Sequence, residues 1–124
     1  GLDRLENVEV TTERFSMPKD FDAKEYFSTF FGIVADDSVA TERIVIRAYK
    51  QHQQYVRSLP IHSSQKELCA NDAYADFELR LRPTYDFIME LLHAGNMVEV
   101  MEPQALRKTM KAWASGLWVM YKNE

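Results

Sequence analysis

The sequence predicts an α+β plait: a four-stranded antiparallel sheet with two helices on one face, preceded by an N-terminal arm and helix and followed by a C-terminal helix. Three observations predict it. Residues 75–82 alternate strictly, with Phe77, Leu79 and Leu81 on one side and Asp76, Glu78, Arg80 and Arg82 on the other, the period of a half-buried strand. Residues 42–49 (ERIVIRAY) alternate in the same way and are rich in β-branched types. Apolar residues at helical spacing, first Tyr55, Val56 and Leu59, then Tyr85, Ile88, Leu91 and Leu92, stand between these strands and their successors.

Each element has a local reason. Residues 2–12 space Leu2, Leu5, Val8 and Val10 among charges, which predicts an extended, partly strand-like arm leaving some other body. Phe15, Met17, Pro18 and Phe21 suit a tethered loop that docks on a surface. Asp22 is the N-cap of a helix over 23–31, with Glu25 in the capping-box position and Gly32 as its stop. That helix carries Tyr26, Phe27, Phe30 and Phe31, an aromatic density that points to packing rather than to a cofactor box. A polar connector over 35–41 leads to the strand at 42–49.

A helix over 50–59 stops at Pro60, a weaker strand covers 65–70, and Asn71-Asp72 supplies a turn into the strand at 75–82. Pro83 cannot continue a ladder, and Thr84 is placed to cap the helix that Gly95-Asn96 ends. A short strand at 97–101 closes at Pro103. Leu106, Met110, Trp113, Leu117 and Met120 or Tyr121 mark one more amphipathic helix, which can bend at Gly116. The order strand, helix, strand, strand, helix, strand is the split β-α-β pattern of the ferredoxin-like plait, with both helices on one face. The division expected is an arm and helix over 1–40 and the plait with its terminal helix over 41–124.

The plait assigns faces. Ile44, Ile46, Phe77, Leu79 and Leu81 should meet the helices. Arg43, Arg47, Tyr49, Glu78, Arg80 and Arg82 should line the open face, with Arg47 across from Glu78 or near Arg80. An open sheet carrying aromatic and basic residues can stack RNA bases. Here the interleaved acids favour cross-strand charge pairs.

Composition narrows the classes. A chain of 124 residues, 46% hydrophobic, is one ordinary domain with an appended arm. No apolar run approaches the ~20 residues that span a bilayer, and no signal peptide opens the chain, so a cytoplasmic protein without a membrane partner is expected. The net charge of −4 is a poor profile for a free-standing nucleic-acid-binding domain. The single cysteine, Cys69, has no internal disulfide partner and suits a buried small hydrophobe. Gly1 stands where an initiator Met would, which suggests a fragment behind a cloning remnant. Catalytic constellations are thin. His52, His62 and His93 fall in different elements, no cysteine pair accompanies them, Ser63-Ser64 beside His62 is no nucleophile motif, and there is no Gly-rich phosphate loop. The expectation is a non-enzymatic protein with no cofactor and no metal site.

Four segments stand in a particular order: Leu2-Asp3-Arg4-Leu5, then Glu25-Tyr26-Phe27 with Phe31-Gly32-Ile33, then Leu59-Pro60-Ile61-His62 with Ser64-Gln65, then Val98-Glu99-Val100-Met101-Glu102-Pro103. As an ordered set they resemble the C-terminal part of bacterial WYL-domain transcriptional regulators. In that family a winged helix-turn-helix binds DNA, a Sm-like barrel follows, and an extension of ferredoxin-like fold comes last. The resemblance implies that residues 2–5 end the barrel and that the rest is the extension. It implies DNA binding only through a missing N-terminal part, since neither the helix-turn-helix nor the Trp-Tyr-Leu signature is present. Arg4 matches a family position at the barrel's ligand surface. His62 and Gln65 match the extension's motif, where a ring and an amide between a helix end and a strand start can satisfy backbone groups; a ligand contact is the alternative. Candidate ligand or nucleic-acid residues are therefore Arg4, His62, Gln65, Arg47 and Arg80.

Two functions of different class follow. One is a regulatory and oligomerisation module of a transcriptional regulator, homo-oligomeric, contributing dimer contacts and a response to a small-molecule or nucleic-acid effector. The other is a self-contained small-molecule sensor of ferredoxin-like fold, by analogy of fold.

Overall fold

A computed structural model describes residues 1–32 and 36–124. Ile33 of the resemblance motif and Ala35, where the connector was expected to begin, lie outside the described residues. The sheet is four-stranded and antiparallel, built from β1 (Glu42–Tyr49), β2 (Lys66–Ala70), β3 (Tyr74–Leu81) and β4 (Val98–Glu102) in the spatial order β2-β3-β1-β4. Helix α2 (His52–Ser58) joins β1 to β2, and α3 (Tyr85–His93) joins β3 to β4. Helix α1 (Ala23–Ser28) precedes this unit and α4 (Gln104–Tyr121) follows it. This is the ferredoxin-like plait, with the strand at Tyr74–Leu81 in its interior.

The core follows the alternation. Ile44, Ile46 and Ala48 of β1 and Ala75, Phe77, Leu79 and Leu81 of β3 turn to the helices, where they join Val56, Phe87, Leu91, Val100 and Leu106 in one cluster. Phe77 is 1% exposed. Each such large side chain, fully buried, contributes roughly 1.5–3 kcal/mol.

Several local expectations are corrected. Helix α1 ends at Ser28 rather than at 31: Thr29 is its C-cap, so Phe30 and Phe31 lie beyond the helix, Phe30 buried and Phe31 edge-on to Phe87 at 5.4 Å. Asp22 does cap it, accepting from the backbone N–H groups of Lys24 (2.9 Å) and Glu25 (3.3 Å). Lys50 adopts a left-handed φ of 49° and turns the chain out of β1, which delays α2 to His52. Thr84 occupies the N-cap position of α3, yet its side chain makes no cap bond. Its buried Oγ1 has no hydrogen-bond partner among the described residues.

Residues 2–12 form no strand. A 3-10 turn covers Leu2–Arg4 and the remainder is irregular and exposed. Cys69 is exposed on β2, not buried. Helix α4 runs through Gly116 without interruption.

The register of β1 against β3 also differs. Arg47 lies opposite Asp76, Val45 opposite Glu78 and Arg43 opposite Arg80. Alternation fixes which face a residue takes, but registers two residues apart preserve that face equally well. Arg82 falls past the end of β3 and turns to the N-terminal segment. Its backbone N–H donates to Thr29 O (2.8 Å), and its guanidinium donates to Thr29 Oγ1 (3.1 Å) and Val39 O (3.1 Å) and lies 4.7 Å from the centre of the Phe30 ring. These bonds anchor the base of the arm.

Candidate functional site

The open face of the sheet is laced with charge pairs, beside an exposed lysine, Lys66, opposite Glu78. Arg47 grips Asp76 with two bonds, from Nε (2.7 Å) and Nη2 (2.9 Å), and stacks on the Tyr74 ring at 3.7 Å from its centre. Tyr49 donates to Glu99 Oε2 (2.6 Å), and Arg107 of α4 donates to Glu99 Oε1 (3.0 Å). Arg43 bridges Glu78 (3.1 Å) and Glu102 (2.7 Å), while Arg80 reaches Glu78 at 3.0 Å.

The protonation equilibria follow from these contacts. The Arg47 guanidinium holds the Asp76 carboxyl below the usual carboxylate range, and Arg47 itself is held more firmly protonated by Asp76. The Tyr49 hydroxyl, then Arg107, lower Glu99, and donating that bond to Glu99 raises Tyr49 in return. Arg43, Arg47 and Arg80 are thus each engaged by a carboxylate, and the Tyr74 ring is already covered by a guanidinium. This arrangement neutralises the face instead of presenting positive charge to a phosphate.

His62 and Gln65 form a clasp at the edge of the helix layer. Gln65 Oε1 accepts from the Ile61 N–H (2.9 Å) and its Nε2 donates to Val56 O (2.9 Å). Val56 O is one of the terminal carbonyls of α2, which no later helical N–H can satisfy. The Ser64 N–H donates to His62 Nδ1 (3.1 Å), so the ring proton sits on Nε2, which faces Phe30 O at 3.1 Å. Ser64 Oγ lies 2.7 Å from His62 Nδ1 and accepts from the Arg80 N–H (2.8 Å). One short segment therefore ties together α2, β3 and the chain leaving α1. The bonds satisfied are backbone bonds, which is the chemistry of a structural clasp. Arg4 stands apart on the exposed turn at Leu2–Arg4, and the structure joins it to neither cluster by a hydrogen bond or ion pair among the described residues.

Two features lay outside the sequence-predicted sites. The first is α4. Leu106 is buried and Met110 packs against the core, but Trp113, Leu117, Trp118, Val119, Met120 and Tyr121 remain exposed, Trp118 by 67% and Met120 by 71%. At 100° per residue the five residues 117–121 point to all sides of the helix. Thr109, Ala112, Trp113, Gly116, Leu117 and Met120 follow one another along one face of it. The sequence signal that could have found it is the absence of any acid from 104 to 123, a stretch that holds Arg107, Lys108, Lys111 and Lys122. The second is a cavity of about 340 Å³ between α2 and α3. Among the described residues, no group of three or more His, Cys, Asp or Glu is placed to hold a metal ion, and no helix is long and apolar enough to cross a membrane.

Comparison with known families gives one match: the model of the WCX domain covers residues 40–118. No curated protein matches the chain.

Proposed function

The chain belongs to the WCX domain family, the C-terminal domains associated with WYL domains, and from that premise we propose that it is the regulatory and oligomerisation module of a bacterial transcriptional regulator. In this reading it contributes dimer contacts and a response to an effector. It acts in the cytoplasm without catalysis, and DNA is bound only through a winged helix-turn-helix elsewhere in the protein.

One observation carries the proposal: the unpartnered apolar surface of α4. A helical end that is apolar on all sides, as α4 is over 117–121, belongs against another body, not in water. Trp113, Trp118 and Tyr121 are 42%, 67% and 63% exposed, large aromatic side chains of the kind that anchor protein interfaces. A second copy is the partner that covers it, and a two-fold contact between equivalent helices uses the same patch twice. The pairing of every arginine on the open sheet face supports the same reading, because it argues against that face as a nucleic-acid surface.

The test is sedimentation velocity over about 1–200 µM, where association follows mass action. The dimer fraction should rise with concentration for the wild type and stay low for Met120→Glu and Trp118→Glu, whose exposed positions leave folding intact. A wild type that stays monomeric, or variants that associate equally well, would overturn the reading.

The alternative, a self-contained small-molecule sensor, draws its support from the cavity between α2 and α3.

A further inference from the structure

The cavity between α2 and α3 is concave and about 340 Å³ in volume, inside the range of ~300–1,000 Å³ typical of ligand pockets. Its floor is apolar: Phe31, Ile61 and Val98 are partly buried and pack on the core cluster. Its mouth carries His52, Tyr55, Glu90 and His93. The rings of His52 and Tyr55 are 5.0 Å apart, so one side of the mouth is an aromatic wall.

The one carboxylate lining this cavity is Glu90, beside the imidazoles of His52 and His93. Among the described residues no lysine or arginine lines it, nor the adjoining hollow, which shares Phe31, Tyr55, Glu90 and His93. The arginine of α2, Arg57, is committed to Glu67 and Gln54 instead. The Glu90 side chain is exposed and its carboxylate makes no ion pair among the described residues, so the carboxylate at the mouth of this apolar cavity has no lysine or arginine counter-ion. An anionic ligand would find repulsion and no fixed cation here. A cationic one would find a carboxylate and an aromatic face together, the two groups that stabilise a desolvated ammonium.

We propose that the α2–α3 cavity binds a small organic cation of the arylalkylamine type, a protonated amine on a flat apolar body. The ring enters between Phe31, Ile61 and Val98; the ammonium stays at the mouth, paired with Glu90 and against the Tyr55 ring. This names the chemical class of the effector in the function proposed above and rests on that reading, so binding is measured separately from association.

The probe is phenethylamine, compared with phenethyl alcohol and phenylpropionate, titrated into the 124-residue chain and followed by methyl chemical shifts and calorimetry. The amine should move the Ile61 and Val98 methyls saturably, and bind about tenfold more tightly than either analogue, equivalent to about 1.4 kcal/mol. Glu90→Gln should remove most of that advantage, and Tyr55→Ala should weaken the amine several-fold; both positions are exposed, so the thermal midpoint should not move. Equal or tighter binding of the alcohol or the anion, shifts confined to other surfaces, or no saturable binding would each overturn the proposal, whatever the association state. Amine binding here by a chain that never associates would uphold this site and count only against the α4 interface.

Discussion

Replacing Gln65 separates a structural clasp from a ligand contact. Gln65→Met keeps length and bulk but removes both amide bonds, leaving the Ile61 N–H and the Val56 carbonyl without their partners. Pro60 has no N–H to offer, and the hydrogen-bonding run of α2 closes at Leu59, so no neighbouring group replaces what is lost. An orphaned buried backbone group costs about 1–3 kcal/mol. These two are part-buried, which places the total at about 2–3 kcal/mol, a fall of roughly 6–15 °C in thermal midpoint for a domain of this size. Gln65→Glu keeps the acceptor for Ile61 but aims a carboxylate at the Val56 carbonyl, so it should recover little of the loss. The assay is urea denaturation and calorimetry on the ligand-free chain. A Gln65→Met variant within about 0.5 kcal/mol of wild type, the range of an ordinary surface change, would refute the structural assignment and return Gln65 to the ligand candidates.

Three further outcomes are expected. Phe77→Ala, at a side chain 1% exposed in the interior strand, should cost about 3–5 kcal/mol by denaturant titration; a cost below 1 kcal/mol would contradict the assigned sheet face. Asp76 and Glu99 titrate below their ordinary values of 3.8 and 4.5 in the folded chain, so the stability they add is present above those values and is lost as pH falls through the lower folded values. A thermal-midpoint series from about pH 2 to 7 should therefore drop steeply at the acid end. Asp76→Asn should flatten that drop while costing about 1.5–3 kcal/mol at neutral pH, and a curve parallel to wild type would show that the Arg47 pair is not its cause. The acidic chain should not bind duplex DNA selectively at physiological salt, and sub-micromolar, sequence-dependent anisotropy changes would disprove this.

The plait was legible because its faces are written in a period of two. Ile44, Ile46, Phe77, Leu79 and Leu81 could have no other side in common. Register was not legible, since slipping β1 by two residues keeps the same face and merely exchanges Glu78 for Asp76 as the partner of Arg47. Element ends gave way to tertiary demands: Phe30 and Phe31 continue a helical pattern in sequence, but the pull of the His62 and Arg82 bonds takes the chain out of the helix at Thr29. His62 could be picked out only through the resemblance, because its partner Phe30 O is 32 residues away, whereas Gln65 bonds locally, to Ile61 and Val56. The exposure of α4 was hidden for a different reason. An amphipathic stripe looks the same whether the chain's own core or another molecule covers it; the excess of apolar residues at 117–121 and the absence of acids over 104–123 distinguish the two. The α2–α3 cavity depends on the spacing of two packed helices, which no local pattern encodes.

For a second copy covering α4, the chain carries its own reporter. Both of its tryptophans, Trp113 and Trp118, lie on that helix. Tryptophan emission measured through a dilution series, alongside the sedimentation mass, reads burial of this helix in the dimer. Emission should be blue-shifted at high concentration and move to the red as the dimer dissociates, with one midpoint for both signals. Emission fixed at the wavelength of a water-exposed indole while the mass changes would contradict this and place the interface elsewhere.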